Sequence, residues 1–153
     1  MLRRIVVPLD GSIRSRAILS HVQRLVVDTS TDVLLLTVSR GSGALGFGAE
    51  DAAELEQQSA RYLNEAVEWL STRGVLAEPR LRTGDPATEI IRCALEEGAD
   101  AIAMATHGRS GLDQLVHGSV SEAVLERSPV PVLLYRPDTG AFASEPSAGL
   151  GAA

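Results

Sequence analysis

Cysteine occurs once in the 153 residues, at Cys93. A lone thiol cannot close an intramolecular disulfide, so the fold must hold by packing, and a reducing compartment suits it. Aromatic residues make up only 3% of the chain. The core must therefore be aliphatic, and the stacking platforms that grip single-stranded nucleic acid are missing. Positive charge is also short: 14 Lys plus Arg stand against 20 Asp plus Glu, giving a net charge of −6 and a pI near 5.0. That balance speaks against a general DNA or RNA binder, so no nucleic-acid partner is expected. No apolar run approaches the ~20 residues that span a bilayer, so no membrane partner is expected either. The short apolar run at the N-terminus closes at once on Pro8-Leu9-Asp10-Gly11, unlike a secretory signal. The expected location is the cytoplasm.

What the chain does hold is a regular alternation. Arg4 to Leu9 is a nearly continuous apolar run, as in strands buried on both faces. Beyond the break at Asp10-Gly11-Ser12, apolar residues at Ile13, Ala17, Ile18, Val22, Leu25 and Val26 recur at helical spacing. Asp32 to Val38 is a second strand. Arg40 to Glu50 carries four glycines and reads as a surface connector, with a mobile flap over a ligand as the alternative. A long helix is predicted over about Asp51 to Arg73, with Leu55, Tyr62, Leu63, Ala66, Val67 and Leu70 on one face and Gly74 as its C-cap glycine. Trp69 lies at the margin of that stripe and reads as packing. Val75 to Thr83 is a third strand, placed at an edge by Pro79. Asp85 as N-cap and Pro86 at the first helical position open a helix that buries Ile90, Ile91, Ala94 and Leu95 and ends at Gly98. Cys93 lies within that helix's apolar pattern and reads as a small core residue. Asp100 to Ala105 is a fourth strand, Ser119 to Arg127 a helix stopped by Ser128-Pro129, and Val130 to Tyr135 a fifth strand.

Strands alternating with helices imply an α/β fold: an open five-stranded parallel sheet with helices on both faces, Rossmann-like, with strand order 3-2-1-4-5. One nucleotide-binding domain is expected over residues 1–137. Asp138 to Ala153, rich in Ala, Gly, Ser and Pro without periodicity, reads as a disordered tail.

In open α/β sheets, ligands bind outside the carboxyl ends of the strands where the strand order reverses. Here that point falls between the first and fourth strands, whose ends carry Pro8-Leu9-Asp10 and Met104-Ala105. After the fourth strand comes a loop containing Gly108, Arg109 and Gly118, which leads to a helix start with Ser119 as N-cap and Glu122 completing a capping box. A helix N-terminus donates N–H groups and favours negative charge, so this loop is a candidate phosphate site. Gly108 and Gly118 would let backbone approach an anion closely. Ser119, Val120 and Ser121 would donate backbone N–H groups, and Arg109 would supply the positive charge the whole chain lacks. Asp10 suits ribose hydroxyls or an amino group. Pro8, Val38 and Met104 offer apolar contact to a base. His107 and His117 have no third ligand at metal-site spacing, so no protein-held metal is expected. His21, on a helix, is expected at the surface.

These residues resemble the universal stress protein family, specifically its ATP-binding branch. That branch carries Gly, two residues, Gly, nine residues, then Gly-Ser or Gly-Thr. Gly108 and Gly118-Ser119 match the later parts, and Ala105 stands where the first glycine is expected. Ile5 to Ser12 is similar to the family's opening strand and turn; Gly84-Asp85-Pro86 and Ala99 to Ile102 are similar to its later blocks. The resemblance implies ATP binding with at most slow hydrolysis, Mg2+ carried on the phosphates, and a role in stress survival or signalling. It implies adenine near Asp10 and Val38, phosphates near Gly108, Gly118, Ser119 and Ser121, and a homodimer pairing through Val130 to Tyr135. A His-x-Gly-His signature, a Ser-Gly-Gly-x-Asp-Ser loop and a Gly-Lys-Ser/Thr P-loop are all absent, and no nucleophile-and-base set is visible, so an enzyme is not the expectation. The competing readings are a slow ATPase and a dimeric interaction protein of the same fold that binds no nucleotide, which Ala105 favours.

Overall fold

A computed structural model describes residues 2–26, 30–41, 48–106 and 120–136. Its elements are β1 (Arg4–Pro8), α1 (Ile13–Arg16), α2 (Ile18–Leu25), β2 (Asp32–Ser39), α3 (Ala49–Ser71), β3 (Ala77–Thr83), α4 (Pro86–Glu96), β4 (Ala101–Ala105), α5 (Val120–Arg127) and β5 (Val132–Tyr135). The five strands form one sheet in the order β3-β2-β1-β4-β5, every pairing parallel. The predicted order is the observed one, and Pro79 sits on an edge strand opposite Leu35. The expected tail, 138–153, and the loop 107–119 lie outside the described residues.

Strand side chains alternate across the sheet, and the two sets build two cores. Ile5, Val7, Leu9, Val33, Leu35 and Ala103 pack with Ile18, Leu19, Val22, Leu63, Ala66 and Leu70 from α2 and α3. Val6, Leu34, Leu36, Ile102 and Met104 pack with Ala87, Ile90, Cys93 and Ala94 of α4 and Val124 of α5. Fully burying one such aliphatic side chain contributes roughly 1.5–3 kcal/mol, so the stability of the domain is divided between the two faces.

Helix ends follow the chemistry of their residues. Asp85 caps α4, accepting from Thr88 N at 3.0 Å and Thr88 Oγ1 at 2.7 Å, with Pro86 at the start. These bonds hold the Asp85 carboxyl below its usual pKa. At the end of α3, Gly74 takes φ +79°, Val75 N donates to Leu70 O at 3.1 Å and Gly74 N to Ser71 O at 3.0 Å. This is a Schellman closure, whose left-handed residue glycine adopts without strain.

Several expectations are corrected. The helix expected from Ser12 is split in two at Ala17, and Ile13, expected on its apolar face, is 77% exposed. The cause is local. The Ser15 hydroxyl donates back to Ser12 O at 3.0 Å, and Arg16 N reaches the same carbonyl only at 3.4 Å. Side-chain competition of this kind weakens a regular helical turn. In α3, Leu55 is exposed, and every residue from Ala49 to Gln58 except half-buried Ala52 is exposed. The apolar stripe is real but is covered only along its second half. In α4, Leu95 is exposed and Cys93 is fully buried in the face beside Ala94. Strand β3 begins at Ala77, two residues later than expected, and β5 at Val132. Ser128 and Val130 spend their polar groups on a turn, with Ser128 Oγ donating to Val130 O and accepting from Val130 N.

Candidate functional site

The geometry of the switch point starts with one proline. Successive residues of a parallel strand direct their backbone groups to opposite neighbours. Leu9 N donates to Leu36 O at 2.8 Å, and Leu9 O accepts from Thr37 Oγ1 at 2.9 Å, so residue 9 faces β2. Residue 8 therefore faces β4, and Pro8 has no N–H to give. The ladder reflects this. β1 is in register with β2 along five pairs, Arg4↔Asp32 to Pro8↔Leu36, but with β4 only at Ile5↔Ala101 and Val6↔Ile102. The sheet opens between the carboxyl ends of β1 and β4, where the strand order reverses.

One lip of the opening is the turn after β1. Asp10 is exposed, and its Oδ1 accepts from Ser12 N at 2.9 Å, an Asx turn made possible by Gly11 at φ +87°. Ser12 caps α1 by accepting from Ser15 N at 3.1 Å. Ser15 is buried, and its Oγ accepts from Asp10 N at 3.3 Å. Tyr62 of α3 reaches this turn: its hydroxyl donates to Ser12 O at 3.0 Å and lies 2.9 Å from Ser15 Oγ. The Arg16 guanidinium lies over the Tyr62 ring at 4.4 Å, with Nη2 donating to Tyr62 O at 3.2 Å and to Glu65 Oε2 at 2.7 Å. Burial pushes the Tyr62 phenol above its usual pKa, against the opposite pull of the Ser15 hydrogen bond and the Arg16 charge.

The other lip is the end of β4. Ala105 is half-buried opposite Tyr135, and Thr106 N donates to Tyr135 O at 2.7 Å, carrying the chain one residue past the strand. Met104 is buried in the α4–α5 core, and half-buried Val38 and Val120 pack against that same core. Ser121 is buried at the start of α5. Of the residues singled out in the sequence, the fold thus places Pro8 and Asp10 on one side of the opening and Ala105 on the other. Val38 stands at the end of the neighbouring strand. Leu9 presents its side chain to the core and its backbone to β2, leaving no side-chain surface for a ligand. Gly108, Arg109, Gly118 and Ser119 lie outside the described residues. Among the described residues no group of three His, Cys, Asp or Glu side chains is placed to hold a metal, and no helix is long and apolar enough to cross a membrane.

Sequence reasoning missed Tyr62, Ser15 and Thr37 as parts of this region. Tyr62 carries a hydroxyl on an otherwise apolar helix stripe, and a buried phenol needs a partner. That was the available signal.

An open parallel sheet of this order, split at its switch point, defines the doubly wound α/β class. Within that class, the profile of the Universal stress protein family matches residues 1–136, and the chain belongs to that family. It is 31% identical over 148 residues to Universal stress protein YxiE of Bacillus subtilis, covering 89% of this chain and 100% of that one. The solved structure of MJ0577, a protein of Methanocaldococcus jannaschii, superimposes with a TM-score of 0.78 at 28% identity, covering 90% of this chain and 97% of that one. Two further solved structures share the fold. One is a universal stress protein in complex with cAMP, with a TM-score of 0.69, 21% identity and coverage of 88% and 97%. The other is the universal stress protein of Archaeoglobus fulgidus in complex with dAMP, with a TM-score of 0.64, 23% identity and coverage of 86% and 95%.

Proposed function

We propose that this protein binds ATP at the β1–β4 opening and serves as a regulatory protein of the stress response, with little or no hydrolysis of its own. The observation that carries the reading is the short β1–β4 pairing ahead of Pro8, which leaves Asp10 and Ala105 at the carboxyl ends of neighbouring strands where the strand order reverses. In this reading half-buried Val38 offers apolar surface to the base, with buried Pro8 and Met104 backing it at the strand ends, and Asp10 accepts from the ribose or the amino group. Gly108, Arg109, Gly118, Ser119, Val120 and Ser121 take the phosphates, with Mg2+ carried on the nucleotide. Family members of the same fold in complex with cAMP and dAMP support an adenine nucleotide as the ligand class.

The reading places the protein in the cytoplasm as a homodimer, with 1–137 as the nucleotide-binding domain and 138–153 as a tail. The dimer is supported by β5, an edge strand with Leu133 and Leu134 both exposed and no charged residue.

Calorimetric titration with Mg-ATP tests the nucleotide reading. Binding by the wild type, lost in a folded Gly118→Val variant, is the expected result. A well-folded wild type that binds neither ATP, ADP nor AMP overturns it. Steady turnover at ~1 s⁻¹ or faster, in the ordinary enzyme range, would replace a binding protein with an enzyme.

A further inference from the structure

We infer that Tyr62 is a positioning residue for the nucleoside end of the site, acting through the turn that carries Asp10. The inference rests on the nucleotide reading above. Asp10 is exposed at the carboxyl end of β1, in the turn Asp10-Gly11-Ser12. The structure ties that turn down from a different element. The Asp10 N–H donates to Ser15 Oγ at 3.3 Å, Ser15 Oγ lies 2.9 Å from the Tyr62 hydroxyl, and the Tyr62 hydroxyl donates to Ser12 O at 3.0 Å. The Ser15 proton has two acceptors in reach, Ser12 O at 3.0 Å and the Tyr62 oxygen at 2.9 Å, so Ser15, Tyr62 and Ser12 O form one hydrogen-bonded cluster that also takes the Asp10 N–H. Linked hydrogen bonds of this kind polarise one another and hold geometry better than isolated ones.

The brace is itself anchored. Tyr62 is half-buried and packs against the core that holds Leu63 and Ala66, so α3 carries the fixed end. Arg16 closes over the ring and ties α1 to the Tyr62 carbonyl and to Glu65. The turn has its own Asx bond, Ser12 N to Asp10 Oδ1, which sets the side-chain rotamer of Asp10. Tyr62 holds the carbonyl of the very residue whose N–H makes that bond. Helix α3 thereby fixes where the Asp10 carboxylate stands relative to the crevice.

The test is Tyr62→Phe, which keeps the ring and its packing and deletes only the hydroxyl. One arm reads amide hydrogen exchange. Exchange at Asp10 and Ser12 should rise about three- to tenfold, the range of one net hydrogen bond, while amides of Val33 to Leu36 keep their wild-type rates. Ser15→Ala should raise exchange at Asp10 in the same way. The other arm is a double-mutant cycle on Mg-ATP affinity. Tyr62→Phe should weaken binding about three- to tenfold in the wild-type background and not at all in the Asp10→Ala background.

Unchanged exchange at Asp10 and Ser12 would overturn the brace. Equal losses in both backgrounds would overturn action through Asp10 while leaving the nucleotide reading in place. A wild type that binds no adenine nucleotide, with exchange at Asp10 and Ser12 still responding, would overturn the nucleotide reading and remove Tyr62 from ligand binding, leaving it a brace of the turn alone.

Discussion

The rings of His21 on α2 and Tyr135 at the end of β5 lie 3.7 Å apart between centroids, tilted by 37°. His21 is thus half-buried against an aromatic partner, not the open surface residue its helix position suggests. Burial, and then the Arg24 charge, lower its pKa below the ordinary 6.5. Neutral imidazole is therefore favoured in the folded state, and the unfolded chain binds the extra proton in the window just below 6.5. The contribution of His21 is fully present above that value and is lost as pH falls through the lowered folded value. Chemical denaturation at ~pH 7.5 and ~pH 5.5 should show wild-type stability falling more than that of His21→Phe, which keeps the ring contact and cannot titrate. Equal pH dependence in the two proteins would reject the coupling.

Leu55 and Leu63 lie on the same stripe of α3 but face different surroundings. Leu63 is fully buried, whereas Leu55 is 43% exposed. Leu63→Ala should cost ~2–5 kcal/mol, the range for emptying a well-packed core position. Leu55→Ala should fall within about 0.5 kcal/mol of the wild type. Urea denaturation of the two variants checks the contrast. A large loss at Leu55 would mean that the first half of α3 is covered in solution, which a second copy could do.

The same pair shows what the sequence could and could not reveal. Apolar runs at β1, β2 and β4, the proline in β3 and Gly74 after α3 are local signals with local causes, and each predicted its element. The strand order followed from crossover rules and one edge assignment. Periodicity marks which face of a helix is apolar but not how far a sheet extends beneath it, so Leu55 and Leu95 were placed inside when they lie outside. Ile13 belongs to the short helix before the break at Ala17, whose buried residue is Ser15, so it does not continue the apolar face of α2. The placement of Pro8, Asp10 and Ala105 on either side of the β1–β4 opening was legible because topology alone brings strand ends together. Tyr62 was not, because its partners, Ser12 and Ser15, lie some fifty residues away in sequence.

Asp100 holds the start of β1. Its Oδ2 accepts from Arg3 N at 2.7 Å and Arg4 N at 2.9 Å, and these bonds hold its carboxyl below the usual aspartate pKa. A depressed carboxyl contributes stability that is present above its unfolded pKa and lost as pH falls through the folded one. Asp100→Ala should therefore destabilise the protein at neutral pH, and the gap from the wild type should narrow as acid protonates Asp100. Thermal unfolding followed from neutral to acidic pH measures the gap. A gap that stays constant into the acid range would show that the charge on Asp100 is not what matters.

The two edges of the sheet differ in chemistry. β3 presents Glu78, Pro79, Arg80 and Arg82, with Arg80 bonded to Glu78 and Glu97 and Arg82 paired with Glu89. Proline and charge are the usual means of preventing strand addition. β5 reads Val-Leu-Leu-Tyr, with Leu133 38% and Leu134 40% exposed on opposite faces of the edge. An edge without charge or proline is a template for pairing, and a two-fold axis through it would make the contact self-complementary. Leu134→Lys places one charge in each copy of such an interface, so both repulsion and desolvation oppose the dimer. The wild type should sediment as a dimer and the variant as a monomer at the same concentration, with unchanged circular dichroism. Arg80→Leu on the opposite edge should leave the oligomeric state as it was. A wild type that sediments as a monomer would overturn the dimer, and a Leu134→Lys variant that remains dimeric would move the interface away from β5.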